Sequence, residues 1–208
     1  MPRVRTHSNP FHYYERQSKL DLTSVFPRFN GTLDVDIGFG RGVFFRHYAA
    51  RYPDRNVMGV EIRKPMVELL KERCQEMELT NVHLIHGNGH ICLEDMLEDR
   101  SIDRIFAFHP DPWMKKSHHK RRLINHKFID LMTQKLKSGG RLYITTDVEV
   151  LFRDIHETLL SHPQFSEITD DDFWFNYTSH WTEFSQQESR TVYRCVFEFT
   201  TSTASESL

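Results

Sequence analysis

Three kinds of residue in this chain are spaced as if for chemistry. Phe108-His109-Pro110-Asp111-Pro112-Trp113 places a carboxylate between two prolines and beside an indole. Met114-Lys115-Lys116-Ser117-His118-His119-Lys120-Arg121-Arg122 follows at once as a cationic run. Upstream, Asp36-Ile37-Gly38-Phe39-Gly40-Arg41-Gly42 is a glycine turn preceded by an acid. Each proline fixes its own φ and restricts its predecessor, so Asp111 is held on a rigid turn. A planar group can stack on Trp113, and a polyanion can lie along the cations.

The elements that must position these groups alternate strand and helix from residue 33. Leu33–Ile37, Asn56–Ile62, Val82–Ile85, Ile102–Phe108 and Arg141–Thr145 read as strands. Helices are expected from Val43 to Tyr52, with Val43, Phe44, His47 and Tyr48 inward, and from Pro65 to about Leu79. Others are expected over 90–98, from Ile124 to Lys137 with a Ser138-Gly139-Gly140 C-cap, and over 148–161. After Pro163 two strands, Phe165–Ile168 and Val192–Thr200, flank a polar, aromatic stretch. The expected fold is α/β: a doubly wound, mostly parallel, seven-stranded sheet closed by an antiparallel C-terminal strand pair. Residues 1–30 read as an N-terminal arm, 31–200 as the domain and 201–208 as a disordered tail.

In such a sheet ligands bind outside the carboxyl ends of the strands. Glu61 ends the second strand, where a carboxylate can accept hydrogen bonds from ribose hydroxyls. The dinucleotide fingerprint would need a third glycine where this chain has Val43, which disfavours a dehydrogenase. Asp36 beside the turn suits a cationic ligand better than a pyrophosphate. The turn therefore points to S-adenosylmethionine, which carries a sulfonium and an ammonium. Asn88, in Gly87-Asn88-Gly89, stands on the same rim, as an adenine contact or as a turn residue. With Asp36, Glu61, Asp111 and Asp147 it is expected to border one crevice.

The bulk numbers limit the alternatives. The chain has 208 residues, 38% hydrophobic and 27% charged, with a net charge of −2. Any nucleic-acid contact must therefore be a local patch. Cys74, Cys92 and Cys195 fall in separate elements without CxxC spacing, which argues against a disulfide framework or a zinc site. No metal is expected from His118-His119. No apolar run reaches the ~20 residues of a membrane span and no signal peptide is apparent, so a cytoplasmic protein is expected.

The quoted motifs, together with Gly59-Val60-Glu61, Leu136-Lys137-Ser138-Gly139-Gly140, Thr146-Asp147 and Thr182-Glu183-Phe184, resemble the bacterial tRNA (guanine-N7-)-methyltransferases. The resemblance runs from about residue 33 to 199. It implies a class I, Rossmann-like methyltransferase that moves the methyl of S-adenosylmethionine to N7 of guanine in tRNA, yielding 7-methylguanosine. It implies cofactor contacts at Asp36, Gly38, Gly40, Gly42, Glu61, Asn88 and Asp111, with Asp111 also the catalytic carboxylate. It implies substrate contacts at Lys115, Asp147, Thr182, Glu183, Phe184 and Ser185, and RNA contacts at Lys116, His118, His119, Lys120, Arg121 and Arg122. Its partner would be tRNA, bound by a monomer or homodimer. The chain departs from the family at Ser185, where a glutamate is usual, and at Gln187 and Val192, where arginine and glycine are usual. Two alternatives follow: a methyltransferase of the same build with another substrate, or an RNA-binding paralogue without catalysis.

Overall fold

The computed structural model describes residues 16–177, 179, 184–185 and 188–201, and of Lys116 the backbone only. The helices are α1 (Leu22–Val25), α2 (Val43–Arg51), α3 (Lys64–Glu76), α4 (Gly89–Met96), α5 (His126–Lys135), α6 (Glu149–Leu160) and α7 (Asp171–Phe175). The strands are β1 (Asp34–Ile37), β2 (Val57–Glu61), β3 (Val82–His86), β4 (Ile102–Phe108), β5 (Leu136–Thr146), β6 (Phe165–Ile168) and β7 (Tyr193–Phe199). They form one seven-stranded sheet in the order β3-β2-β1-β4-β5-β7-β6. The five strands from β3 to β5 are parallel, and β7 runs antiparallel to both β5 and β6. This is the expected mixed α/β sheet. The order reverses between β1 and β4, and the carboxyl ends of those two strands flank the switch point.

Alternation along the strands divides the core between the two faces. Ile105 and Ala107 of β4 pack with α4, α5 and α6, whereas Phe106 joins Phe44, Phe45, Phe173 and Trp174 on the face covered by α2, α3 and α7. Phe106 and Phe173 stack at 5.6 Å between centroids. Residues 16–30 lie against the first face: Leu20 N donates to the Met96 carbonyl, Arg16 pairs with Glu94 and Asp95, and Phe26 is buried. Cys74, Cys92 and Cys195 are free and buried, and burial pushes the Cys74 and Cys92 thiols up to about 11.

Two local expectations are corrected. The helix over 124–137 ends at Lys135, and Ser138-Gly139-Gly140 is not its cap but lies inside β5. Leu136 already pairs with Ile102, and the ladder resumes at Arg104–Arg141, so the glycines form a bulge in which Gly139 takes φ +79°. On α2 the inward residues are Phe44, Phe45, Tyr48 and Ala49, while His47 is exposed. The short helix α7 forms within the polar, aromatic stretch that precedes the last strand. Asp170 caps it by accepting from Phe173 N, and its Phe173 and Trp174 fill the aromatic face.

Candidate active site

The carboxyl ends of β1, β2, β3 and β4 open onto one cleft of about 950 Å³, within the size range of small-molecule sites. Asp36, Gly38, Gly40, Glu61, Asn88, Asp111 and Trp113 all line it. The glycine turn is built from left-handed residues: Gly38, Gly40 and Gly42 have φ of +77°, +58° and +65°. The three do different work. A Cβ on Gly38 would meet nothing within 4 Å, so its backbone is open to a ligand. A Cβ on Gly42 would lie 2.3 Å from Leu70 Cδ1, so this glycine lets α2 start tight against α3, and it is not part of the cleft lining.

Glu61 is held in place by the turn it faces. Oε2 accepts from Gly40 N at 2.9 Å and from Arg63 Nη2 at 3.2 Å. Oε1 accepts from Arg63 N at 3.0 Å and from Arg63 Nε at 3.1 Å. Asp36 is 3% exposed, and burial, reinforced by the Glu61 charge, holds its carboxyl well above the ordinary value of 3.8. A cationic group brought against it would favour the ionised form. Asn88 is the N-cap of α4, with Oδ1 accepting from His90 N at 3.0 Å, and its φ of −81° removes the positive-φ turn reading.

The rigid turn expected at Pro110-Asp111-Pro112 is flanked by backbone that prolines alone would not produce. His109 and Trp113 take φ of +48° and +40°. Left-handed conformations of non-glycine residues cost of order 1–3 kcal/mol and persist only where the surroundings over-determine them. Those surroundings are identifiable. His109 N donates to the Thr145 carbonyl at 2.7 Å, and its buried imidazole Nδ1 lies 3.5 Å from Asp147 Oδ1. The Arg121 guanidinium lies 5.1 Å over the Trp113 ring. Arg122 is 8% exposed: Nε donates to the Pro112 carbonyl at 2.8 Å and Nη1 to Asp154 Oδ2 at 2.5 Å.

The basic run folds as a 3-10 turn, Lys116–Arg121, and its members part company. Lys120, Arg121 and Arg122 line the cleft, whereas the exposed Lys115 and the half-buried His118 and His119 lie outside its lining, His118 edge-on to the Trp113 ring. Desolvation, then the cations of Arg121, Lys115 and Lys120, pushes the His118 imidazole below its ordinary 6.5. Arg122 belongs to the interior, engaged by Pro112, Asp154 and His119.

Asp147 also stands apart from the cleft lining. Its Oδ1 faces His109, and its Oδ2 accepts from Arg190 Nη1 at 3.2 Å. The same guanidinium lies 5.4 Å over the Phe184 ring, tying the C-terminal loop to the end of β5. Ser185 is fully buried, and among the described residues its Oγ has no hydrogen-bond partner. Thr182 and Glu183 lie outside the described residues. Arg63, His109 and Arg190 were not singled out by sequence reasoning. Arg63, two positions after the strand-end acid, and His109, inside the proline motif, offered positional signals, whereas Arg190 offered none.

The cleft fits S-adenosylmethionine on its own chemistry. Gly38, a left-handed glycine, presents open backbone, a buried carboxyl of raised pKa stands beside it at the end of the first strand, and a second carboxylate sits at the end of the next strand. A family model for methyltransferases, Methyltransf_4, matches residues 30–195. A tRNA (guanine-N(7)-)-methyltransferase of Nitrosococcus oceani is 36% identical over 152 residues, covering 73% of this chain and 64% of that protein. The tRNA (guanine-N(7)-)-methyltransferase of Thermosynechococcus vestitus is 31% identical over 204 residues, covering 94% of each chain. Among solved structures, a SAM-dependent O-methyltransferase from Thermotoga maritima superposes with a TM-score of 0.56 at 16% identity, over 89% of this chain and 68% of that one, which shows the shared fold. With the family model spanning most of its length and a relative aligned nearly end to end, this chain belongs to the tRNA (guanine-N7-)-methyltransferase family.

Proposed function

We propose that this protein transfers a methyl group from S-adenosylmethionine to N7 of guanine in tRNA, with residues 31–200 as the catalytic domain. The observation that carries the reading is the meeting of Asp36, Glu61, Asn88 and Asp111 on one cleft whose rim bears Lys120 and Arg121. A pure RNA-binding protein has no use for buried acids there, since their mutual repulsion costs stability.

Glu61 holds the ribose hydroxyls, Asp36 the cationic amino-acid end, and Asn88 the adenine edge. Gly38 and Gly40 allow the backbone to approach. Bound there, S-adenosylmethionine supplies a methyl group made electrophilic by its sulfonium. N7 of guanine keeps a free lone pair, so the protein needs no base to create a nucleophile. Its task is alignment, which the rigid Pro110-Asp111-Pro112 turn serves. Positive charge grows on the purine as the methyl arrives, and Asp111 stabilises it from a fixed position. The guanine-contacting roles are assigned to Asp147, Thr182, Glu183, Phe184 and Ser185 on the family resemblance. Lys115, Lys116, Lys120 and Arg121 take the tRNA backbone, with His118 and His119 beside them. Arg122 acts from within by holding Pro112. Among the described residues no helix is long and apolar enough to cross a membrane, and we place the enzyme in the cytoplasm as a monomer or homodimer.

The test is tritiated methyl transfer to tRNA that lacks 7-methylguanosine, followed by nucleoside analysis. Label in 7-methylguanosine, lost about 10²–10³-fold in Asp111→Ala, is the expected result. Label in another nucleoside, or an Asp111→Ala enzyme at the wild-type rate, overturns the assignment.

A further inference from the structure

Glu61 has no spare acceptor. A carboxylate offers about four lone-pair directions, and here four N–H donors already occupy them: Gly40 N, Arg63 N, Arg63 Nε and Arg63 Nη2. The two backbone donors belong to the glycine turn and to the start of α3, and they cannot leave without moving those elements. The guanidinium can. Its side chain is 44% exposed, it lines the cleft, and its charge is also favoured by Asp111 across the opening. Nη2 would lie 3.6 Å from a Cβ on Gly40, so the guanidinium lies across the face of the turn where a nucleoside must come.

We propose that Arg63 competes with the ribose hydroxyls for Glu61 and thereby sets how tightly the adenosine end of the cofactor is held. The inference rests on the reading of Glu61 as the ribose carboxylate. A diol on Glu61 takes over the two acceptor directions that Nε and Nη2 now fill. The guanidinium turns toward Asp111, while the Gly40 and Arg63 backbone donors stay and keep the carboxylate aimed. The exchange replaces a charge-assisted pair by two neutral donors, so Arg63 lowers the affinity that Glu61 would otherwise give.

Isothermal titration of the full chain with S-adenosylhomocysteine tests this without catalysis. That ligand lacks the sulfonium charge, so relief of repulsion between the sulfonium and Arg63 does not enter. Arg63→Met is expected to bind it about two- to fivefold tighter than wild type, the range of a partly exposed ion pair. Arg63→Lys, with one donor in place of the fork, is expected to fall between them. The tightening is expected to shrink for the 2′-deoxy analogue, and where that analogue binds neither protein the S-adenosylhomocysteine comparison decides alone. A wild-type protein that does not bind S-adenosylhomocysteine would remove the cofactor reading itself. A wild type that binds, with a folded Arg63→Met of equal or weaker affinity, overturns the role of Arg63 and leaves the cofactor reading intact.

Discussion

Arg122 reaches back ten residues to donate from Nε to the Pro112 carbonyl at 2.8 Å, in a buried contact. The same side chain reaches Asp154 on α6 and His119 Nε2, so it bolts the Asp111 turn to the body of the fold. Arg122→Ala leaves a buried carbonyl without its donor and frees the strained Trp113 backbone. A loss of about 2–4 kcal/mol in denaturant unfolding is expected. Arg122→Lys is expected to recover little, since one ammonium cannot serve three partners. Unfolding midpoints of the two variants within a few tenths of wild type would show that the turn stands without this residue.

Asp36 makes stability depend on pH in a direction opposite to that of a salt-bridged acid. Its folded pKa is raised by burial and by Glu61, so the folded protein holds this proton more tightly than the unfolded chain does. From this group, stability falls as pH climbs from the ordinary carboxylate value toward the folded one, and the penalty is constant above it. Asp36→Asn removes the penalty. Its thermal midpoint is expected to exceed that of wild type by a margin that widens as pH rises above the ordinary carboxylate value of 3.8. The same variant is expected to bind S-adenosylmethionine more weakly, because the acid that faces the cation is gone. Parallel melting curves across that range would contradict the burial argument.

Two glycines of one turn should fail differently. In Gly42→Ala a methyl group at φ +65° is driven into Leu70, and a stability loss of about 2–5 kcal/mol is expected from strain and overpacking together. In Gly38→Ala the methyl meets open space, so the cost is about 1–3 kcal/mol of backbone strain. There the larger effect is expected in cofactor affinity. Calorimetric melting paired with cofactor titration separates the two, and equal stability losses would mean that Leu70 moves aside.

The cations that reach solvent can be told from the one that does not by salt. Each phosphate contact steepens the fall of log affinity with log salt by about 0.7–0.9. Lys115→Ala and Lys120→Ala are each expected to flatten the tRNA-binding slope by about that amount. Arg122→Ala is expected to weaken binding, if at all, without changing the slope, because its guanidinium is engaged inside the protein. A flattened slope in Arg122→Ala would place that side chain on the nucleic acid.

What the sequence determined by itself was the order of elements and the address of the chemistry. Apolar periodicity is local, so β4 and β6 emerge with the expected bounds, and a parallel alternation puts strand-end residues such as Asp36, Glu61 and Asp111 on one rim whatever the rest does. Side-chain partners were decided only by the tertiary structure, because they come from distant stretches of chain. Leu70 is why Gly42 must be glycine, Ile102 is what draws Leu136 and the glycines after it into a strand, and Asp154 is what turns Arg122 inward. His109 and Arg190 owe their places to Asp147, at the end of a different strand, a contact that exists only once helices and strands have packed.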